Sequence, residues 1–171
     1  YIFKNKEFDN LILMDGDGED RPVEIKSLVD KAIKKKNLSV VAKRVKRSEG
    51  SFFQLLYKMH KIITYIFTGK KINFGNYSCL TKEDVEKIHL EQSLWSSYSG
   101  TVKKYLKEFE EIDSIRGSRY FGPSKMSLFN LLIHSFSIIA VFKYQVFLRS
   151  TFMIIILAYL TLYFGNFSIF F

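Results

Sequence analysis

The hydrophobic pattern of the first part of the chain changes from a strand-like run to helical spacing and back. Residues 11–14 are four consecutive apolar residues, and residues 38–42 form a second, largely apolar run. Between them, beyond Pro22, apolar residues recur every three or four positions with charged residues in between, which predicts an amphipathic helix. The order strand, helix, strand predicts the βαβ unit of a parallel sheet, and therefore an α/β fold.

Helical and strand-like patterns then alternate up to the apolar tail of the chain. Residues 51–68 have a long helical pattern with a broad apolar stripe, and residues 71–80 have the pattern of a strand and a loop. Residues 81–84 resemble a capping box that begins another helix, and helical spacing extends over residues 94–109. Residues 112–115 predict a further short strand.

The C-terminal part of the chain is far more apolar than the rest. Residues 151–171 contain no charged side chain in 21 positions, which is enough for a helix to cross a hydrocarbon core of about 30 Å. Residues 128–148 are also apolar but include His134 and Lys143, which favours either an amphipathic helix in the membrane interface or a second, weaker span. We therefore predict a domain over residues 1–127, an interfacial helix over 128–150 and a transmembrane helix over 151–171.

Composition and charge agree with a basic, polar part joined to an apolar one. The net charge is +9, while hydrophobic residues make up 47% and the mean hydropathy is zero. The excess of Lys and Arg before the candidate span predicts, by the positive-inside rule, that the polar part lies on the cytoplasmic face of the cell membrane. The single Cys79 excludes an internal disulfide. The basic run at residues 43–47 could be a solvated face, a contact with anionic lipid or a phosphate site; no nucleic-acid module accompanies it, so we expect no nucleic-acid partner.

The strongest chemical signal is a set of alternating acids directly after the first strand. Asp15, Asp17 and Glu19 follow the apolar run at residues 11–14. Alternation along an extended chain places these carboxylates on one side, at the carboxyl end of the strand. Mg²⁺ or Mn²⁺ bridging a substrate diphosphate requires oxygen ligands of this kind. The alternative is an acidic turn that binds no metal.

Three motifs resemble those of family 2 glycosyltransferases, in particular the branch similar to dolichol-phosphate mannosyltransferases, which acts on polyprenyl phosphates. The metal motif of that branch is similar to residues 15–22, Asp-Gly-Asp-Gly-Glu-Asp-Arg-Pro, with Glu in place of the usual Gln. Residues 40–44, Val-Val-Ala-Lys-Arg, resemble its strand ending in Gly-x-Arg, with Ala in place of Gly. Residues 119–125, Arg-Tyr-Phe-Gly-Pro-Ser-Lys, match its Arg-x-x-Gly-x-Ser-Lys motif.

The resemblance implies the fold and the activity. The fold would be the C-terminal part of a GT-A-like (Rossmann-like) catalytic domain followed by one or more membrane helices. The activity would be metal-dependent, inverting transfer of a sugar from a nucleotide-sugar donor to a polyprenyl phosphate or another membrane-associated acceptor. Asp15, Asp17 and Glu19 would bind the metal. The phosphate-binding residues would be Arg44, Arg119, Ser124 and Lys125.

Two departures from the family pattern bear on the reaction. The acceptor loop of the family usually has an acid that residues 72–77 lack, and Asp84 or Glu91 downstream could take its place as catalytic base. In the family a longer N-terminal part, with the pocket for the nucleotide base, precedes the metal motif, so we expect the chain to be a fragment. The competing hypotheses are a catalytically inactive, membrane-anchored remnant that binds a partner or anionic lipid, and a basic adaptor at the membrane surface.

Overall fold

The computed structural model describes residues 7–35, 38–46, 51–122 and 127–167, and these residues form a mixed α/β structure. Its strands are β1 (Asn10–Leu13), β2 (Val40–Lys46), β3 (Phe74–Thr81) and β4 (Glu110–Ile115). The helices of this described part are α1 (Ile25–Lys34), α2 (Ser51–Thr68), α3 (Lys82–Ile88), α4 (Tyr98–Tyr105), α5 (Leu128–Val141) and α6 (Lys143–Phe167). Short 3₁₀ turns at Pro22–Glu24 and Gln92–Trp95 precede α1 and α4.

The four strands form one mixed sheet in the order β1-β3-β2-β4. Strand β3 is antiparallel to both of its neighbours, β1 and β2, whereas β2 and β4 are parallel. Strands β1, β2 and β4 therefore run in one direction. The predicted order strand, helix, strand is confirmed, but the predicted parallel pairing of the first two strands is wrong because β3 lies between them. Strand β3 is mostly buried, as expected for a strand with a neighbour on each side. An apolar sequence pattern indicates burial of this kind but does not identify the partner strands.

Helices cover both faces of the sheet. Leu28 and Ala32 of α1 pack on one face, and Val85 of α3 and Val102 of α4 pack on the other. Successive residues of a strand point to opposite faces, so neighbouring residues of β2 contribute to different sides of the core. Val40 belongs to the cluster under α1, and the adjacent Val41 belongs to the opposite cluster.

The C-terminal part consists of two helices separated at Phe142. Helix α5 is capped by Ser127, whose hydroxyl accepts a hydrogen bond from the backbone N–H of Asn130 at 3.2 Å. Helix α6 includes a stretch from Lys143 to Phe164 that is long and apolar enough to cross a membrane, and no residue of that stretch is fully buried. The helix break therefore lies at Phe142 and not between residues 150 and 151, where the distribution of charged residues had predicted it. Lys143 and Arg149 do not interrupt α6, because long basic side chains near the end of a membrane helix can reach the interface.

Glu24 connects the beginning of α1 to the end of β4. Its carboxylate accepts hydrogen bonds from the Ser114 hydroxyl at 2.5 Å and from the Ile115 N–H at 3.3 Å, and it pairs with Arg21. Burial acts to raise the pKa of Glu24, but these hydrogen bonds outweigh it and the pKa lies below its ordinary value. The ionised carboxylate therefore stabilises the fold.

We predict that Glu24→Gln lowers the free energy of unfolding by about 1–2 kcal/mol at neutral pH, since it removes a charged hydrogen-bond acceptor. A depressed carboxylate pKa contributes stability above the unfolded value, about 4.3, and this contribution is lost as the pH falls through the folded pKa. Thermal melting in detergent between pH 3 and pH 7 should show the two curves converging at acid pH. The control is Glu86→Gln, at an exposed position on α3. A difference between wild type and Glu24→Gln that does not change with pH would contradict the assignment.

Candidate functional site

Charged side chains from three strands meet at one edge of the sheet. Since β1, β2 and β4 run in the same direction, their carboxyl ends lie at that edge, and the antiparallel strand β3 begins there. An acidic loop follows β1, Arg44 lies towards the end of β2, and two arginines follow β4. We call this group the acid–arginine cluster, and its members are Asp15, Asp17, Glu19, Asp20, Arg44, Arg116 and Arg119.

Glu19 is held by the two arginines that follow β4. It forms an ion pair with Arg116, and it accepts a hydrogen bond from Nε of Arg119 at 2.9 Å. Arg119 also lies 3.3 Å from Oδ2 of Asp17. The Glu19 side chain is only 12% exposed, so these cations occupy its carboxylate. The segment after β4 is thereby attached to the acidic loop.

Arg44 pairs with the other two acids of the loop, Asp15 and Asp20. Its guanidinium lies 3.6 Å from Oδ1 of Asp20 and 3.9 Å from Oδ2 of Asp15. Asp15 also accepts a hydrogen bond at 3.2 Å from the side-chain amide of Asn76, at the start of β3. Burial raises the pKa of Asp20, although the Asp15 N–H and the Arg44 charge act in the opposite direction. Arg44 therefore offsets a carboxylate that is held partly out of water.

Backbone contacts fix the shape of the loop. Asp20 accepts a hydrogen bond from the Asp15 N–H at 2.9 Å, which closes the loop on itself. The N–H of Gly117 donates to the Glu19 carbonyl at 2.8 Å. A Cβ atom at Gly117 would lie 2.5 Å from the carbonyl oxygen of Gly18, so only glycine allows this approach. The acidic loop and the segment after β4 are thus packed backbone against backbone.

Asp15 and Asp17 are the more accessible members of the predicted metal site. Their side chains are 42% and 36% exposed, whereas Glu19 is turned towards the arginines. The structure does not bring the three predicted ligands together: among the residues it describes, no group of three or more His, Cys, Asp or Glu side chains is arranged to hold a metal. Mg²⁺ usually keeps several waters and uses one or two carboxylates together with substrate phosphates. In this loop, Asp15 and Asp17 are the two partly exposed carboxylates.

The predicted phosphate-binding residues have different outcomes. Arg44 and Arg119 lie in the acid–arginine cluster, as expected for groups that act at one site. Ser124 and Lys125 lie outside the described residues. Arg116 was missed by the sequence reasoning, although its place directly after the predicted strand at residues 112–115 could have indicated it.

Neither candidate for the catalytic base belongs to the cluster. Asp84 accepts a hydrogen bond from Ser39 at 2.6 Å and pairs with Lys87 at 2.6 Å. Because Ser39 precedes β2, this network lies at the opposite edge of the sheet, and Asp84 has a structural role in the first turn of α3. Glu91 lies in the turn after α3 and, within the described part of the chain, forms no hydrogen bond or ion pair with the cluster. The expectation that Asp84 or Glu91 supplies the base has no support in their positions.

A cavity of about 300 Å³ lies near the cluster, between α2, α5 and the segment before β3. Four lysines contribute to its lining, together with rings of Tyr and His and apolar side chains from α5 and β3. The lysines are Lys58, Lys61, Lys70 and Lys71. The Ser135 hydroxyl of α5 lies 2.6 Å from Nδ1 of His60 on α2, so a polar contact joins the two helices beside the cavity. The sequence reasoning missed this basic cavity; the basic and aromatic residues on one side of the pattern at residues 51–68 were the available signal.

The start of β3 connects the cavity to the acid–arginine cluster. Asn73 and Phe74 line the cavity, whereas Asn76 contacts Asp15. Gly75 between them faces the Arg44 guanidinium, which lies 3.0 Å from the position of a Cβ atom there. With about 3.3 Å per residue in a strand, Phe74 and Asn76 are separated by roughly 7 Å along β3. The cavity and the acidic loop are therefore joined through the start of this strand.

No protein-family model matches the chain, and no curated protein matches it either. The functional assignment therefore depends on the chemistry of the site. That chemistry consists of two exposed carboxylates, three arginines and a neighbouring basic cavity.

We predict that Glu19→Ala makes the chain more sensitive to trypsin after Arg116 and Arg119. Loss of the shared carboxylate would reduce the free energy of local opening by about 1–2 kcal/mol, which corresponds to roughly 5–30-fold faster cleavage. Mass spectrometry of the early fragments measures this rate. Glu108→Ala, at an exposed position before β4, is the matched control and should leave it unchanged. Equal cleavage of both variants would show that Glu19 does not hold the segment.

Proposed function

We propose that the chain belongs to a metal-dependent, inverting glycosyltransferase with a GT-A-like domain, related to the family 2 enzymes that act on polyprenyl phosphates. It would transfer a sugar from a nucleotide-sugar donor to a polyprenyl phosphate, or to another membrane-associated acceptor, on the cytoplasmic face of the membrane. One observation carries the proposal. Asp15 and Asp17 lie with three arginines at the carboxyl edge of the sheet, beside a cavity lined by lysines.

The donor diphosphate would bind at the acid–arginine cluster. Asp15 and Asp17 would hold Mg²⁺ or Mn²⁺, which neutralises the charge of the leaving diphosphate when it is bound. Arg44 and Arg119 contact these same aspartates at 3.9 Å and 3.3 Å. Both distances are longer than those of strong charge-assisted hydrogen bonds, about 2.7–2.9 Å. When a diphosphate enters, the Arg44 guanidinium can turn to its oxygens and form paired, charge-assisted hydrogen bonds, while Arg119 stays fixed by Glu19.

Glu19 would position the arginines instead of binding the metal. It is enclosed by Arg116 and Arg119, which fixes Arg119 at the edge of the site. This role agrees with the replacement of the usual Gln of the metal motif by Glu, because a charged residue pairs with two arginines more strongly than an amide.

The acceptor phosphate would enter from the cavity. Lysines attract an anionic group, and the apolar residues Ile72, Phe74 and Ile138 provide a surface for the adjoining hydrocarbon. An ionised phosphate is already nucleophilic and needs no general base. The positions of Asp84 and Glu91, away from the acids, are consistent with such an acceptor. Attack on the face opposite the leaving diphosphate inverts the anomeric centre.

The alternative is a catalytically inactive, membrane-anchored remnant that binds a partner or anionic lipid. The observation that favours it is the pairing of every acid in the cluster with an arginine, which would hold the loops together without any ligand. A remnant needs these pairs only for its fold. The two functions therefore differ in whether the exposed carboxylates are required for transfer.

We predict that Asp17→Asn lowers sugar transfer about 100-fold or more, because an amide oxygen binds a divalent cation far more weakly than a carboxylate. Membranes containing the chain would be assayed with UDP- and GDP-sugars, polyprenyl phosphate and Mn²⁺ or Mg²⁺. The control is Asp30→Asn, an exposed position on α1 that should retain full activity. No transfer by the unsubstituted chain with any donor, or equal rates for both variants, would favour the remnant.

The cavity generates a separate prediction for the acceptor. Lys58→Ala should raise the KM for polyprenyl phosphate about tenfold, the effect of losing one charge-assisted hydrogen bond, and leave the KM for the donor unchanged. Initial rates at varied acceptor concentration measure it. Lys26→Ala, exposed on α1, should have no effect. A higher KM for the donor in Lys58→Ala would show that the cavity binds the donor and not the acceptor.

A further inference from the structure

Helix α2 has its polar and apolar faces in the reverse of the usual arrangement. Its buried side includes Thr64 and Thr68, which are only 4% and 2% exposed. Its most exposed apolar residues include Leu55, Met59 and Ile62, which are 56%, 50% and 50% exposed. At 100° per residue, the outward residues fall within an arc of about 100° centred opposite the two threonines. We call this arc the outward face of α2, and its members are Leu55, Met59, Ile62, Ile63 and Ile66.

The neighbouring helices continue this apolar surface. Helix α5 exposes large apolar side chains, among them Phe129 and Phe136, at 69% and 66%. Helix α6, with the candidate membrane span, is fixed to α2 by a hydrogen bond of 2.8 Å from Nε of Arg149 to the carbonyl oxygen of Ile66. Soluble proteins rarely expose an apolar patch of this extent to water, so the surface indicates a contact site.

We propose that the outward face of α2 lies in the lipid bilayer, in the interfacial region next to α6. The contact with α6 sets the depth. Arg149 is six residues beyond Lys143, where the candidate span begins, which corresponds to roughly 9 Å along the helix. The C-terminal end of α2 is therefore at the depth to which interfacial helices insert their apolar faces, about 5–10 Å.

The charges around α2 match a membrane surface. Lys58 lies on the flank of the helix, beside its outward face, and Lys70 and Lys71 follow its end. Lysines at this level attract anionic headgroups. A second copy of the chain on the same face would bring these lysines close to their own counterparts, which like charge disfavours. This inference does not depend on glycosyl transfer, and it means that the polar domain contributes to membrane attachment as well as the C-terminal helices.

Spin labels on the full-length chain test the proposal. Met59→Cys and Ile63→Cys place a label on the outward face of α2, and Lys107→Cys places one on the exposed segment after α4, near Asp84 at the opposite edge of the sheet. The native Cys79 is fully buried and should remain unlabelled. The chain would be reconstituted into vesicles of neutral and anionic phospholipids. Collision rates with oxygen, which is concentrated in lipid, and with a water-soluble nickel chelate would then be compared by electron paramagnetic resonance.

For Met59→Cys and Ile63→Cys, we expect more frequent collisions with oxygen than with the chelate, and the reverse order for Lys107→Cys. The proposal is overturned if the chelate is favoured at both α2 positions, which would place the face in water. It is also overturned if both reagents are excluded there, which would mean that a protein covers the face. Two positions on one turn of helix guard against a local effect of the label.

Discussion

The arrangement of the site depends on the neutralisation of one acidic loop. Four carboxylates within six residues repel one another, and the loop can close only because cations are supplied to it from two other strands. Arg44 comes from β2, and Arg116 and Arg119 come from the segment after β4. Without these cations, the buried carboxylate of Asp20 and the enclosed carboxylate of Glu19 would be strongly unfavourable. The same ion pairs bring the ends of three strands into one site.

The mixed topology makes this neutralisation possible. Because β3 runs against its neighbours, its beginning lies at the edge where β1, β2 and β4 end. Asn76 then reaches Asp15, and Gly75 leaves space for the Arg44 guanidinium. The first residue of the same strand, Phe74, lines the cavity. One strand thus joins the acidic loop, its cation and the basic cavity.

Much of the secondary structure could be predicted from the sequence, whereas the pairing of its elements could not. The helix after Pro22 and the strand at residues 112–115 are confirmed, because apolar periodicity reflects local geometry and burial. The position of β3 was not predictable, since its apolar residues indicate a buried strand but do not select its neighbours. The ion pair between Glu19 and Arg116 was not predictable either, because the two residues are almost a hundred positions apart and a sequence motif does not show which distant residues meet. Asp84 has the chemistry of a base but lies at the opposite edge of the sheet from the acid–arginine cluster, a position that depends on topology.

Helix α2 contributes both to the basic cavity and to the apolar outward face. Helix α2 presents lysines to the cavity on one side and apolar residues to the surroundings on the other. An acceptor with a charged head and a hydrocarbon tail would find both surfaces on the same helix. Membrane attachment and substrate recognition would then be properties of one element, and the acid–arginine cluster would lie within reach of a phosphate at the membrane surface.

We propose that the acid–arginine cluster binds a metal together with a diphosphate. Electron paramagnetic resonance of Mn²⁺ tests it most directly, because the six-line signal of the free ion weakens when the ion is bound by protein. The full chain would be titrated with Mn²⁺ in the presence and absence of UDP or GDP, against nucleotide alone. We expect protein and nucleotide together to remove more of the free signal than the sum of their separate effects. A signal equal to that sum at every concentration would contradict it.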